Sequence, residues 1–332
     1  MTPIFVRRKY AILAASILAC AIAANVAHAQ TYPQRPITFV VPSSAGGPGD
    51  AAARLIANHM SASLGQQIVV DNVPGAGGTL GMTRAARAAP DGYTLMIHQN
   101  GFAITPSLYT KLSFDTAKDF VTVGLVNRSN VYLVGRKSLP ASNFAELVAW
   151  MKRPGNSARV AHPGIGTVGH LQTVILIRAM GAAANLIPYR GVAPAVNDLV
   201  GEHIDAVQVG AAVASPLIRS GAIKAYASTA SKRDAAFPDI PVYREVGHAE
   251  LERPFWHALF APAGTPQSVI DRLNAALQAA LADPQMQKAY ADSGVEAFPR
   301  EQWSVAAAND YVRSEIDYWG KVVRDNNIKV AP

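Results

Sequence analysis

The sequence almost lacks cysteine. Its 332 residues include one, Cys20, which lies in an N-terminal segment with the features of an export signal. Once that segment is removed the chain has no thiol, which excludes disulfide bonds, a cysteine nucleophile and thiolate metal sites together. A chain of this length buries a full hydrophobic core without such cross-links.

Charged residues are also scarce, at 16% of the chain against 50% hydrophobic residues. The net charge of +7 falls to +4 when the basic residues 7–9 are set aside, and no Lys/Arg run follows them. This balance excludes a disordered chain and argues against nucleic acid as the main partner. It suits a protein whose small partner is an anion.

Long apolar runs are absent beyond the N-terminus, so no later segment reaches membrane-spanning length without charges. The N-terminus joins the basic residues 7–9 to an apolar stretch, Tyr10–Ile22, and then to Ala27-His28-Ala29. This order predicts a signal peptide over residues 1–29, cleaved near Ala29, and hence a periplasmic protein with no stable membrane insertion. The alternatives are a membrane anchor, a buried helix, and lipidation of Cys20 in a poor lipobox.

Short β-rich runs alternate with alanine-rich helical stretches along the rest of the chain. The first five elements follow a βαβαβ pattern, which is typical of a parallel sheet with crossover helices. We therefore expect two α/β domains with at least two chain crossings between them. The predicted strands are 37–41, 68–70, 93–97, around 127–134, 159–161, 204–209 and 223–228. The predicted helices are 50–64 with Asp50 as N-cap, 79–89, 145–151, 171–180, one starting at 195–199, 267–282, 284–292 and 302–325.

Three glycine-rich loops each follow a predicted strand and open a predicted helix. Loop one is residues 42–50, loop two is residues 72–79 and loop three is residues 162–170. Glycine lets the backbone approach a ligand closely, and the N–H groups at the positive end of a helix bind anions without a cationic side chain. Ordinary βα turns also favour Gly, Ser and Asp, so each loop alone admits that interpretation. Three loops from two domains favour one shared anion cleft.

Signatures of common enzymes are missing: the sequence has no GxSxG, HExxH, Walker or EF-hand motif. Loop three contains a literal GxGxxG at 164–169, but no Asp or Glu follows between His170 and Asn197 to hold a dinucleotide's ribose. His162 and His170 have no carboxylate or thiol close in sequence to complete a metal site, so we expect them to cap the loop or contact ligand. The sequence predicts a protein that is not an enzyme and needs no cofactor.

Ten short motifs stand along the chain from about Pro33 to its C-terminus. They are Arg35-Pro36-Ile37, Pro42 with Gly46-Gly47 and Asp50, Asn72 with Pro74-Gly75-Ala76-Gly77-Gly78, Pro90-Asp91-Gly92-Tyr93-Thr94-Leu95, Lys118-Asp119-Phe120, Gly164-x-Gly166-Thr167-x-Gly169-His170-Leu171, Pro188-Tyr189-Arg190-Gly191, Ala193-Pro194-Ala195, Phe237-Pro238-Asp239-Ile240-Pro241 and Ala261-Pro262-Ala263-Gly264-Thr265-Pro266. Each alone is weak, whereas ten in one order are highly specific. In this order they resemble the substrate-binding receptors of tripartite tricarboxylate transporters, often called the Bug family.

The resemblance implies a type II periplasmic-binding fold, in which two α/β domains joined by hinge strands close on a small organic acid. Domain one is then residues 31–130 plus 253–332, and domain two is residues 131–252. Such receptors hold the carboxylate largely through loop N–H groups, hydroxyls and bridging water. The implied partners are a small carboxylate, aromatic or dicarboxylic, and membrane transporter subunits, with the receptor itself a monomer. An exported ligand sensor and a hydrolase acting on carboxylates remain the alternatives.

Departures from the family pattern bear on the ligand. Ser43 stands where many members have an aromatic residue, and His162-Pro163 stands where small serines are common. Val209-Gly210 follows Gln208 where a polar residue usually ends the strand. We therefore expect a roomier, less polar pocket that suits an apolar-bodied carboxylate. The rings available to such a ligand, unless they pack in the core, are Phe102, Phe255 and Trp256.

The expected ligand contacts come from the three loops and the strand ends beside them. They are Ser43, Ser44, Ala45, Gly46, Gly47, Gly77, Gly78, Thr79, Gln99, Asn100, His162, Gly166, Thr167, His170, Tyr189, Arg190, Gln208 and Phe255. We expect Tyr189 to cover the pocket. Arg190 either adds positive charge or faces solvent beside its strand.

Overall fold

The computed structural model describes residues 32–109, 111–165 and 167–328, which form an α/β protein with two sheets. The signal peptide predicted over residues 1–29, the state of Cys20 and the place of Gly166 lie outside these ranges. No helix within them is long and apolar enough to cross a membrane.

The elements alternate along most of the chain. The strands are β1 (Ile37–Val41), β2 (Ile68–Asn72), β3 (Thr94–Gln99), β4 (Phe120–Ser129), β5 (Val131–Arg136), β6 (Ala158–His162), β7 (Ala184–Pro188), β8 (Ala206–Gly210), β9 (Ile223–Ser228), β10 (Phe255–Pro262) and β11 (Val295–Glu296). The α-helices are α1 (Pro48–Leu64), α2 (Thr79–Ala86), α3 (Gly101–Leu108), α4 (Phe144–Met151), α5 (Val168–Ala179), α6 (Val192–Val200), α7 (Ala211–Arg219), α8 (Gln267–Ala282), α9 (Pro284–Asp292) and α10 (Val305–Asp325).

Sheet one has the strand order β11-β4-β10-β3-β1-β2. β1 lies between β2 and β3 and is parallel to both, whereas β10 runs antiparallel between β3 and β4. Trp256, Leu259 and Phe260 of β10 are inaccessible to solvent. A strand from the C-terminal third of the chain thus forms the centre of this sheet.

Sheet two has the order β7-β6-β8-β5-β9. β6 is parallel to β7 and β8, and β5 is antiparallel to its two neighbours. An apolar cluster containing Leu147 and Leu176 packs α4 and α5 on one side, and a second containing Leu199 and Ala214 packs α6 and α7 on the other. β5, β6 and β8 each send side chains into both clusters, as the two-residue period of a strand requires.

Helices with clear end signals lie where the sequence predicts them. α8 begins directly after Pro266, and α9 begins at Pro284, where the Asp283 side chain accepts from the Gln285 N–H. Both helices have the predicted bounds. Proline at the first position and an acidic N-cap are local signals, so no tertiary information is needed.

Elements without such signals differ from the prediction. α1 begins at Pro48 with Gly47 as N-cap, so the prediction of Asp50 as N-cap is wrong. The segments that become β7, β10, α3 and α7 had no predicted element. α3 and α7 each contain a proline, Pro106 and Pro216, and β10 is a continuous apolar run whose period does not separate strand from helix.

The strands divide between the sheets in two blocks. Sheet one uses strands from residues 37–129 and 255–296, and sheet two uses strands from residues 131–228. We refer to the two halves of the molecule as lobe one and lobe two. The domain limits at residues 130/131 and 252/253 stay a prediction.

A buried ion cluster secures the start of β8 in lobe two. Asp205 accepts hydrogen bonds from Arg136 Nε at 2.9 Å, from Arg159 Nη2 at 3.0 Å and from the Arg159 backbone N–H at 2.8 Å. Burial alone raises the pKa of Asp205, but these hydrogen bonds outweigh it and hold the pKa below its ordinary value. The carboxylate is therefore charged wherever the protein is folded at neutral pH.

We expect Asp205→Asn to lower the free energy of unfolding by about 3 kcal/mol, because two guanidinium groups lose their buried counter-charge. Urea unfolding at pH 7 measures this change. The matched control is Asp292→Asn, which breaks an exposed pair with Lys288 and is expected to change stability by less than about 0.5 kcal/mol. Equal effects of the two substitutions would contradict the assignment.

Candidate functional site

Strand direction decides which edge of sheet one carries the loops. β1, β2 and β3 end at one edge, and loops one and two begin there. β10 runs the other way and begins at this edge, where Phe255 pairs with Ser129 at the end of β4. The carboxyl ends of these parallel strands thus meet the first residues of β10.

Sheet two presents the corresponding edge. Val131 at the start of β5 pairs with Gly210 at the end of β8, and β6, parallel to β8, ends nearby at His162 and leads into loop three. Only Asn130 separates β4 from β5. The carboxyl edges of the two sheets therefore lie on either side of this crossover, and all three loops begin at these edges.

Loop one is held by a carboxylate of its own chain. Asp50, in the first turn of α1, accepts from the Gly46 N–H at 3.0 Å and pairs with Arg54 at 3.0 Å. Hydrogen bonds from Arg54 and from the Gly46 N–H lower the pKa of Asp50. The Gly47 N–H reaches the Ser44 carbonyl at 3.4 Å. The predicted amide donors Gly46 and Gly47 are thus already occupied.

Other N–H groups of loop one have no acceptor among the described residues. The backbone N–H groups of Ser44, Ala45, Gly49 and Asp50 donate to no described residue, and α1 has no side-chain cap at Gly47. The Ser43 hydroxyl is buried and has no hydrogen-bond partner among the described residues. These groups stand at the positive end of a helix of 17 residues.

Loop two is a tight turn that leads into α2. Gly77 has a φ of 65°, and a Cβ there would overlap the Tyr109 hydroxyl. The Gly78 N–H donates to the Gly75 carbonyl at 2.9 Å, and the Thr79 hydroxyl donates to the Ala76 carbonyl at 2.9 Å. Of the three predicted contacts in this loop, Gly77 alone keeps a donor that no described residue accepts.

Two histidines of lobe one lie beneath these loops. His98 Nε2 is 3.3 Å from where a Cβ on Gly78 would stand, and His257 Nε2 is 3.9 Å from the corresponding point on Gly49. Neither nitrogen has a hydrogen-bond partner among the described residues. Burial lowers the pKa of His98 to about 3 and that of His257 to about 4. Both rings are therefore neutral at pH 7.

Loop three fixes the proton of His162. The Gly164 N–H donates to His162 Nδ1 at 3.3 Å, so in the neutral ring Nε2 carries the proton. The Thr167 hydroxyl donates to the Gly164 carbonyl at 2.7 Å and accepts from the His170 N–H at 3.2 Å, which caps α5. The rings of His162 and His170 lie next to each other, with centroids 4.4 Å apart, and their contact with a ligand stays a prediction.

Burial keeps both rings of this pair neutral. It lowers the pKa of His162, against a smaller opposing effect of the Gly164 N–H. It lowers the pKa of His170 to about 4, with His162 adding a smaller repulsion. Two adjacent neutral rings offer N–H donors rather than positive charge.

The remaining predicted contacts in lobe two differ in their exposure and in their hydrogen-bond partners. The Tyr189 hydroxyl donates to Asp198, so it serves lobe two itself. Arg190 is exposed beside the end of β7, as one of its two interpretations expected. Gln208 is buried one position beyond the pair of Ala161 and Val207, which places it beside His162, and its Nε2 has no partner among the described residues.

The predicted contacts at the strand ends of lobe one also differ in their exposure and hydrogen bonding. The Asn100 side chain donates to the Pro254 carbonyl at 3.2 Å and accepts from the Trp256 N–H at 2.9 Å, so it anchors the crossover and we leave it out of the proposed site. Gln99 and Phe255 are half-buried at the loop edge. The ring of Phe255 packs edge-on against His257 at 5.2 Å.

The suggestion of aromatic ligand contacts is wrong for two of the three rings. Phe102 stacks on Phe260 with centroids 4.0 Å apart, and Trp256 is wholly buried. The Trp256 Nε1–H donates to Glu315 at 2.9 Å. Both rings pack in the core because β10 inserts between β3 and β4, which local sequence does not reveal.

Sequence reasoning missed the residue that fastens the second crossover. Glu315 of α10 is 1% exposed and accepts from Trp256 Nε1, Trp319 Nε1 and Arg253 Nη1 at 2.9–3.0 Å. The Arg253 carbonyl in turn accepts from Gln172 of α5 at 2.9 Å. A glutamate on an amphipathic helix predicts a solvent-facing residue, and only its partners reveal this role.

No group of three or more His, Cys, Asp or Glu side chains in the described ranges could hold a metal ion. The donors at the facing edges are instead amides, hydroxyls and neutral imidazoles, which suit an anionic organic ligand.

Residues 52–328 match the family model described as the tripartite tricarboxylate transporter family receptor. The chain belongs to this family. The resemblance drawn from the ten sequence motifs is thereby confirmed.

Solved structures of this family share the fold. The chain is 37% identical to the periplasmic binding protein BugD, with a TM-score of 0.78, covering 90% of this chain and 100% of that one. MatC from Rhodopseudomonas palustris with bound malate is 36% identical, with a TM-score of 0.77 and coverage of 88% and 100%. A second R. palustris protein, with adipate, is 29% identical, with a TM-score of 0.79 and coverage of 90% and 100%. The predicted two-domain α/β binding-protein fold is confirmed, and these neighbours are binding proteins.

We expect stability to fall as the pH drops from 6.5 toward 4. The pKa values of His98 and His257 lie near 3 and 4 in the folded protein and at the ordinary 6.5 in the unfolded chain. In that window the unfolded chain binds more protons, so each histidine costs up to about 1.4 kcal/mol per pH unit. Urea unfolding of the protein and of His257→Asn at pH 7, 6 and 5 measures the slope. An unchanged slope in the variant would contradict the folded-state pKa of His257.

Proposed function

We propose that this chain is a periplasmic receptor that captures a small organic carboxylate between its two lobes and delivers it to a tripartite tricarboxylate-type membrane transporter. The observation that carries the proposal is the meeting of two carboxyl edges at Asn130. Ligands of open α/β sheets bind outside the carboxyl ends of the strands. Here two such ends face one space.

The electrostatics of that space favour an anion, and this does not require a cationic side chain of the protein. α1 and α2 begin at glycine N-caps that lack a side-chain cap, and the acid in the first turn of α1, Asp50, is paired with Arg54. The N–H groups of the exposed residues Ser44, Ala45 and Gly77 donate to no described residue and are the donors of lobe one that a ligand can reach. His162 Nε2–H is the donor available from lobe two.

A ligand held from both lobes stabilises the closed state. Binding energy gained only when donors of both lobes reach one molecule shifts the open–closed equilibrium toward closure. Asn130 alone joins β4 to β5 at the first crossover, and beside it the Val131 N–H donates to Thr229 Oγ1 and the Thr229 N–H donates to the Val131 carbonyl, both at 2.9 Å. Such a pivot suits a receptor that signals its loaded state to a membrane partner.

The related proteins support the ligand class. Malate and adipate, the compounds present in the structures of two of these neighbours, are both dicarboxylates. Capture without turnover follows from the absence of a nucleophile–base pair in the motifs of the sequence. Export through the predicted signal peptide brings the chain to the compartment where such receptors act.

We expect free carboxylic acids to bind at least tenfold more tightly than their uncharged amides, because the amides lack the negative charge that helix ends and N–H groups stabilise. Isothermal titration calorimetry at pH 7 with succinate, glutarate, adipate and malate, each beside its diamide, measures this ratio. Recovery of unchanged acid by NMR after incubation checks for turnover. Equal affinity for acid and amide, or consumption of the acid, would overturn the proposal.

A further inference from the structure

Loop three is fastened to the segment that follows β7. β6 and β7 run parallel to their ends. Beyond those ends the hydrogen bonding continues, because the Tyr189 N–H donates to the His162 carbonyl at 2.9 Å and the Gly191 N–H donates to the Pro163 carbonyl at 3.1 Å. We refer to residues 189–191 as the flanking segment. The first residues of loop three therefore take their position from the flanking segment.

Gly164 lies against the flanking segment and also controls a ring of the proposed site. A Cβ on Gly164, whose φ is 135°, would stand 3.4 Å from the Tyr189 carbonyl oxygen. The Gly164 N–H donates to His162 Nδ1 at 3.3 Å, which leaves the proton of the neutral ring on Nε2. A shift of the flanking segment would move the N–H group that decides which nitrogen of His162 is a donor.

The side chain of Tyr189 ties the flanking segment to α6. Its hydroxyl donates to Asp198 Oδ2 at 2.5 Å. Burial raises the pKa of Tyr189 to about 12, and the hydrogen bond to Asp198 adds to this, so the hydroxyl keeps its proton at pH 7. A hydrogen bond to an ionised carboxylate is about twice as strong as one between neutral groups.

The flanking segment has few other side-chain attachments. Arg190 is exposed, and its side chain makes no hydrogen bond to a described residue. Gly191 is the N-cap of α6, with a φ of 111° and no side-chain cap. Within the part of the chain that the structure describes, the bond between Tyr189 and Asp198 is thus the side-chain hydrogen bond that holds this segment.

We propose that Tyr189 is a positioning residue of the carboxylate site: its hydroxyl, held by Asp198, keeps the flanking segment against loop three so that His162 offers its Nε2–H to the ligand. The inference rests on the proposed function and adds two residues that act without touching the ligand. A donor fixed before binding loses less conformational freedom on binding, which strengthens affinity.

A direct contact between Tyr189 and the ligand is the competing interpretation. In that case the hydroxyl would have to leave Asp198, and removal of Asp198 would free it for the ligand. The positioning role predicts the reverse, since the hydroxyl acts only while Asp198 accepts from it. Substitutions of Asp198 therefore separate the two interpretations.

Three variants test the hydrogen bond. Tyr189→Phe removes the hydroxyl and keeps the ring, Asp198→Ala removes the acceptor, and Asp198→Asn keeps an acceptor because an amide oxygen also accepts. Calorimetry at pH 7 uses succinate, glutarate, adipate and malate. For each acid that binds the unaltered protein, we expect at least fivefold weaker binding to Tyr189→Phe and Asp198→Ala and no more than a twofold loss in Asp198→Asn. The double variant Tyr189→Phe/Asp198→Ala is expected to bind no more weakly than either single one, because both remove the same bond.

The tautomer of His162 supplies a readout that a general loss of packing would not reproduce. Nitrogen-15 NMR at pH 7 is expected to show His162 protonated at Nε2 alone in the unaltered protein and in Asp198→Asn. We expect a mixture of both tautomers in Tyr189→Phe and Asp198→Ala. Far-UV circular dichroism checks that each variant is folded, and Asp198→Ala reports on the same bond if Tyr189→Phe does not fold.

The matched control is Tyr226→Phe, which removes another tyrosine hydroxyl of lobe two, one that donates to the Ala141 carbonyl at 3.1 Å. It is expected to change neither affinity by more than twofold nor the tautomer of His162.

Four results would overturn the inference and leave the proposed function standing. They are affinity within twofold in both Tyr189→Phe and Asp198→Ala, tighter binding to Asp198→Ala, equal losses in Asp198→Asn and Asp198→Ala, and weaker binding while His162 keeps a single tautomer. Failure of all four acids to bind the unaltered protein would overturn both proposals.

Discussion

The direction of the chain at Asn130 is the constraint on which the site depends. β4 ends and β5 begins within one residue, so the carboxyl edge of sheet one is placed against the edge of sheet two that carries the end of β6. A longer connection would leave the relative placement of these edges to the packing of the lobes. The short one makes the meeting of the loops a property of topology, and their sequences then determine what is bound.

Neutral imidazoles give this site its chemical character. His98, His162, His170 and His257 all have pKa values lowered by burial, so none contributes charge at pH 7. The Gly164 N–H donates to His162 Nδ1, which makes the neutral His162 ring a donor at Nε2, and His257 Nδ1 lies 2.8 Å from Asn127 Oδ1. In the proposed receptor the helix ends attract the anion, and the neutral rings contribute hydrogen bonds without charge.

Local signals predicted much of the fold and the position of the loops. Proline and aspartate at the start of α9 fix its bounds, and glycine runs after strands mark loops one to three. The place of β10 was not predictable, because its partners lie about 130 to 160 residues earlier in the chain. For the same reason the sequence did not identify Asn100 and Glu315 as anchors of the crossover, or Phe102 as a core residue. Contacts between distant segments, rather than residue types, assign those roles.

The insertion of β10 also orders the assembly of the molecule. Until residues 255–262 arrive, β3 and β4 have no common neighbour, and sheet one exists only as separate pieces with open hydrogen-bonding edges. Sheet two needs only residues 131–228 and has all its strands earlier in the chain. Lobe two therefore takes its whole sheet from one continuous segment, whereas the sheet of lobe one stays incomplete until β10 is in place. Unpaired strand edges are templates for aggregation, so a chain truncated before residue 255 would expose such edges on β3 and β4.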